Sequence, residues 1–115
     1  MNILAILNDP PYGTERSYNG LRLALSLAKE PEGELRVFLA DAVRCAQRGQ
    51  QTPEGHYNIE RMLTGLRVKG VPIGACGTCM DARGMGDEAL IEGAHRSSMA
   101  ELTAWTLWAD KVVSF

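Results

Sequence analysis

No stretch of this chain approaches the about 18 consecutive apolar residues that a membrane-crossing helix needs. An excess of one charge sign is also missing. Twelve Lys and Arg stand against 14 Asp and Glu, a net charge of −2, which gives no field to gather nucleic acid or an anionic lipid surface. Neither a GxGxxG nor a GxxxxGK[ST] loop occurs, so a nucleotide site lacks its phosphate cradle and no cofactor is expected. Repeats, low-complexity tracts and linkers are absent, and the 115 residues are expected to form one domain, 1–115. Cysteine is scarce. Three residues are an odd number and too few for a disulfide scaffold. Met1–Leu7 has no basic flank and meets Asn8-Asp9-Pro10-Pro11 at once, too short for a signal peptide. The expectation is a cytoplasmic protein whose thiols are reduced and are catalytic, metal-binding or simply buried.

What is present is an alternation of apolar runs and amphipathic stretches. Residues 2–7 are continuously apolar, the pattern of a strand buried on both faces of a parallel sheet. After a turn-rich loop, Thr14 opens a helix in which Leu21, Ala24, Leu25 and Ala28 share a face, and Pro31 and Gly33 stop it. Leu35–Ala40 is a second strand, and Asp41 beyond it is expected to cap the short helical turn Val43–Arg48. Gly49–Gly55 is a polar loop. Asn58 caps a helix through Ile59, Met62, Leu63 and Leu66, and Gly70 ends it. Residues 71–75 form a third strand, with Pro72 where no ladder bond is required. Gly86–Ala94 is a short helix or irregular. Ser97 or Ser98 begins a last helix carrying Leu102, Trp105, Leu107, Trp108 and Ala109, and Lys111–Phe115 is a fourth strand. The resulting β-α-β-α-β-α-β order predicts a three-layer α/β/α fold, a flavodoxin-like doubly wound sheet, mostly parallel.

The chemistry concentrates where the third apolar run stops, at Cys76-Gly77-Thr78-Cys79. A cysteine attacks only as thiolate. The carboxyl edge of a parallel strand is where such sheets place ligands and chemistry. Gly77 allows a sharp turn there, and a helix starting near Thr78 would aim free N–H groups at Cys76, with Arg83 as a nearby positive charge. Asn8 and Tyr12 leave the first strand at the same edge and could line the site, although a turn explains them equally well. Three other readings compete. Cys76 could be a small core residue. The CxxC could be half of a zinc site, but Cys45, His56 and His95 are scattered singly and no metal is expected. It could also be a dithiol redox pair at a helix start. The helices and the polar loop could alternatively present a small-molecule or partner surface in an oligomer. The broad apolar arc of the last helix, through Leu107 and Trp108, suggests a subunit contact.

Several stretches together resemble the DsrE/DsrF-like family, and within it the YchN-like group. They are Asn8–Glu15, Asn19–Ala24, Phe38–Val43, Arg48-Gly49-Gln50, Tyr57–Ile59, Met62-Leu63, Cys76–Gly84 and Trp105–Val112. The resemblance implies a three-layer fold and a homo-oligomer, a ring-like hexamer or a trimer. It further implies sulfur relay, in which a carrier cysteine accepts sulfur as a persulfide from a donor protein and passes it to an acceptor. The family's carrier cysteine precedes an Arg-Gly pair by the spacing of Cys76 to Arg83-Gly84. Cys79 has no counterpart in the relay subunits and fits the YchN-like CxxC. It implies a thiol that assists release or forms a disulfide with Cys76.

Overall fold

The computed structural model describes all of residues 1–115. Five strands form one sheet. They are β1 (Asn2–Leu7), β2 (Glu34–Leu39), β3 (Ile73–Cys76), β4 (Ala94–Ser97) and β5 (Lys111–Ser114), in the order β4-β3-β2-β1-β5. Every neighbouring pair is parallel. Four helices connect them: α1 (Arg16–Leu27), α2 (Ile59–Val68), α3 (Gly77–Ala82) and α4 (Met99–Trp108). The doubly wound α/β architecture expected from the alternation is present.

Two expectations need correction. The sheet has five strands, not four. The extra one, β4, starts at the end of the stretch Gly86–Ala94 expected to be a short helix or irregular and runs on to Ser97, one of the two expected helix starts. Within Gly86–Ala94 only a 3-10 turn at Asp87–Ala89 is helical. Its residues Ala94-His95-Arg96-Ser97 carry no apolar run, because β4 is an edge strand pairing only with β3. The first helix begins at Arg16. Thr14 instead turns its hydroxyl to Asp9, donating at 2.8 Å.

The handedness of parallel crossovers fixes the layers. The chain advances β1→β2→β3→β4 in one direction along the sheet, so right-handed connections put α1, α2 and α3 on one face. It then doubles back across the whole sheet to β5, and the same rule puts α4 on the opposite face. The side chains follow. Ala5, Leu7, Val37, Leu39, Ile73 and Ala75 point to the first face. There they pack with Leu21, Ala24, Leu63, Leu66 and Met80 in a core of 21 buried residues. Each fully buried Leu there contributes about 1.5–3 kcal/mol. On the second face only Leu4, Phe38 and Trp105 are buried together, Phe38 meeting Trp105 edge-on at 6.5 Å.

Local signals for α2 and β3 operate as read. Asn58 accepts a hydrogen bond from the Arg61 N–H at 3.0 Å, and Gly70 leaves α2 at φ +80°. Pro72 precedes β3, where only its carbonyl is used, accepting from the Val37 N–H at 2.9 Å.

Candidate functional site

Adjacent strands β3 and β4 send the chain to opposite faces of the sheet, β3 into α3 and β4 into α4. In an open α/β sheet the crevice outside such a pair of strand ends is the topological switch point. The two residues at those ends are register partners, Cys76 on β3 and Ser97 on β4. Cys76 is half-buried and packs against both apolar clusters, one on each side of the sheet.

Cys76 ends β3 and is also the N-cap of α3. Its Sγ accepts a hydrogen bond from the Cys79 N–H at 3.4 Å. Gly77 makes the turn possible. A Cβ there would lie 3.0 Å from both the Ser97 carbonyl and Arg96 Nε. The backbone therefore passes directly against β4, and the Arg96 guanidinium lies beside it.

Arg96 is held by Asp81 at 2.7 Å, with Asp87 at 3.7 Å. Its pKa is raised, chiefly by the hydrogen bond to Asp81; partial burial opposes this, and the charges of Asp81, Asp87 and Cys76 add to it. Arg96 is the cation that β4 brings to the thiol. The sequence offered Arg83 for that place. Arg83 donates instead to the Cys79 carbonyl at 3.1 Å, and Arg44 in turn donates to the Arg83 carbonyl at 3.1 Å. Arg83 thus clamps the back of the dithiol turn.

The two thiols are chemically unequal. Cys79 also lies on α3, and its Sγ donates to Asp41 Oδ1 at 3.7 Å. Its pKa is pushed up to about 11, first by burial and then by the hydrogen bonds and charges of Cys76 and Asp41. Cys79 is therefore held as a protonated thiol. Asp41 does not cap the 3-10 turn Asp41–Ala46, contrary to expectation. Ala40 occupies the cap position, and no side chain caps that turn. Cys45 is fully buried, its pKa raised to about 12, above all by burial, and its thiol faces the Asp9 carbonyl at 3.8 Å.

Below the thiols a polar cluster ties β4 to α4. Glu101 accepts from the Ser97 hydroxyl at 2.6 Å and pairs with His95 Nε2, and His95 also meets the Trp105 ring edge-on. Burial raises the Glu101 pKa, but hydrogen bonds from Ser97 and His95 outweigh it and leave the carboxyl below its ordinary value. Gly74, on β3, makes room. A Cβ there would stand 3.3 Å from Glu101 Oε1.

The remaining nominated residues are placed as follows. Thr78 is exposed on the first turn of α3. Asn8 points along the other side of β1, donating to Ser114 Oγ at 3.0 Å and the Phe115 carbonyl at 3.1 Å, with β2 between its strand and β3. Tyr12 donates to Gln50 Oε1 at 2.6 Å and accepts from the Ile59 N–H at 3.3 Å, fastening the polar loop to α2. The structure therefore gathers Cys76, Gly77, Thr78, Cys79 and Arg83 on the short helix α3 and its two caps and does not bring Asn8 or Tyr12 to them. No three His, Cys, Asp or Glu side chains stand close enough together to hold a metal ion. None of the four surface depressions is lined by Cys76 or Cys79.

These features define a doubly wound α/β domain that presents a dithiol on an open sheet edge. The chain belongs to the DsrE/DsrF-like family, whose model matches residues 1–115. It is 44% identical over 115 residues to Protein YchN of Escherichia coli K12, covering 98% of this chain and 97% of the relative. It is 36% identical over 114 residues to the uncharacterized protein MK0008 of Methanopyrus kandleri, covering 98% and 93%. The crystal structure of the E. coli ychN protein superposes with a TM-score of 0.92, covering 99% of this chain and 98% of that one. MTH1491 of Methanobacterium thermoautotrophicum, a protein of unknown function, shares the fold at 17% identity with a TM-score of 0.75.

Proposed function

We propose that this protein is a persulfide carrier in a sulfur relay, with Cys76 as the acceptor thiol. The observation that carries the reading is the inequality of the two thiols on one turn. Cys76 accepts a backbone N–H beside Arg96, while Cys79 is kept protonated. One sulfur thus has a backbone donor and a guanidinium beside it, while its neighbour stays neutral. The step is thiolate attack on the outer sulfur of a donor persulfide, which moves that sulfur to Cys76 and releases the donor as a thiol. An open edge, away from the surface depressions, suits an incoming protein thiol better than an enclosed small molecule.

The partners on this reading are sulfur-donor and sulfur-acceptor proteins and further copies of the chain. Homo-oligomerisation, as a hexamer or a trimer, is supported by apolar side chains that α4 turns to solvent, Met99 at 71% and Leu107 at 82% exposure. A dithiol redox role is the second reading, favoured by the placement of both sulfurs on the first turn of α3.

The test is incubation with a protein persulfide donor followed by intact and peptide mass spectrometry. One added sulfur atom on Cys76, lost in Cys76→Ser and kept in Cys45→Ala, is the expected result. A fully reduced Cys76 that stays unmodified beside a competent donor defeats the carrier reading.

A further inference from the structure

We infer that Asp41 is the proton acceptor for Cys79 when that thiol attacks the Sγ of a Cys76 that carries a second sulfur, so that the site discharges itself as a Cys76–Cys79 disulfide. In its persulfide form this rests on the reading of Cys76 as the sulfur acceptor.

The placement follows from the sheet. β2 is the neighbour of β3, so the residues just past its carboxyl end stand beside the first turn of α3. Asp41 is one of them. Its carboxylate caps nothing and pairs with no cation; the hydrogen bond it makes is with Cys79 Sγ, at 3.7 Å. The other acids nearby are occupied. Asp81 and Asp87 are tied to Arg96, and Glu101 to Ser97 and His95.

A carboxylate in this position has two opposed effects. As a fixed negative charge it disfavours the Cys79 thiolate, adding to the larger effect of burial. As a base it can take the Cys79 proton. With a pKa near about 11, Cys79 is ionised in only about one molecule in ten thousand at neutral pH, so attack through the free thiolate is rare. As Cys79 sulfur gives its electron pair to a new S–S bond, its S–H becomes strongly acidic, and the neighbouring carboxylate then accepts the proton.

The step balances internally. Cys79 Sγ attacks Cys76 Sγ of the persulfide. The Sγ–Sγ bond forms and the bond to the outer sulfur breaks. That sulfur leaves with the electron pair as hydrosulfide. The Cys79 proton passes to Asp41 and then to the hydrosulfide or solvent. The Cys79 sulfur is oxidised from thiol to disulfide level, the outer sulfur is reduced to sulfide, and Cys76 Sγ stays at the level it had in the persulfide. A thiol reductant must open the disulfide before another cycle.

The test uses the full chain and Ellman's reagent. Cys76 takes up one thionitrobenzoate and liberates a first equivalent; attack by Cys79 liberates a second. Cys79→Ser should stop after the first. In the unaltered protein the second phase should be nearly independent of pH around neutrality. In D41N it should be at least about tenfold slower at neutral pH and rise about tenfold per pH unit toward alkaline pH, with D41E recovering part of the loss. A D41N second phase as fast as, or faster than, that of the unaltered protein overturns the inference, because Asp41 would then only be a brake. The same variants are next treated with polysulfide and hydrosulfide release is measured. If Cys76 takes up no sulfur while the thionitrobenzoate result holds, the carrier reading fails and the Asp41–Cys79 assignment stands.

Discussion

Cys76 and Ser97 face each other across the last rung of the β3–β4 ladder, and past that rung the two chains part toward opposite faces of the sheet. The thiol therefore occupies a seam where two helix starts diverge, α3 on one side and α4 on the other.

The seam is narrow at Gly77. Replacing Gly77 by Ala introduces a Cβ 3.0 Å from the Ser97 carbonyl and from Arg96 Nε. The backbone carbonyl cannot swing aside as a side chain can. The expected cost is about 1–3 kcal/mol, read as a lower urea midpoint, together with slower alkylation of Cys76.

Arg96 supplies the positive charge beside the thiol. Arg96→Gln should slow alkylation of Cys76 by iodoacetamide several-fold at neutral pH and leave the urea midpoint nearly unchanged, since its ion pairs are exposed. Arg83→Gln should instead act on Cys79 and the turn, because its bond is to the Cys79 carbonyl. Peptide mapping of the alkylated sites distinguishes the two.

Cys45 gives a stability signature in alkali. Its thiol titrates near about 12 in the folded protein against 9.0 when exposed. Below the unfolded value both states hold the proton and stability is complete. Between the two values the unfolded chain loses the proton first, so stability falls as pH rises, by at most about 1.4 kcal/mol per pH unit. Urea midpoints measured from neutral pH upward should show this slope, and Cys45→Ala should reduce it, Cys79 with its own raised pKa supplying the rest.

Leu107 tests the proposed assembly. It is 82% exposed on α4, so Leu107→Glu should change the stability of the folded chain by less than about 0.5 kcal/mol. Light scattering should find the unaltered protein as a multimer and the variant as a smaller species. An unaltered protein that is monomeric at high concentration counts against the subunit contact.

The strands with continuous apolar runs, and the helices with a capped apolar face, were legible from the residues alone. β1, β2, α1 and α2 each carry enough buried side chains for the period to declare itself. β4 does not. Of its four residues only Ser97 is buried, so no periodic signal exists at that length. With β4 unread, Arg96 had no reason to be placed near Cys76, and Arg83 was nominated because it is close along the chain. The sequence places Asp41 just past the second strand, but its approach to Cys79 depends on β2 and β3 being neighbours in the sheet. Asn8 and Tyr12 show the converse limit. Sharing an edge does not make residues converge when intervening strands separate them.

The uneven coverage of the sheet sets how the molecule breathes. One face is sealed by a cluster of 21 buried side chains, the other by a single helix whose Trp105 is buried with Leu4 and Phe38. Local opening follows the smaller number of buried contacts, so in a protomer freed of the proposed subunit contact, such as the Leu107→Glu species, amide exchange should be faster in α4 than in α2 and β2. The wall that loosens first is the one beginning next to Cys76. A fluctuation there widens the way to the sulfur on one side while the other side, with the dithiol turn attached to it, stays rigid.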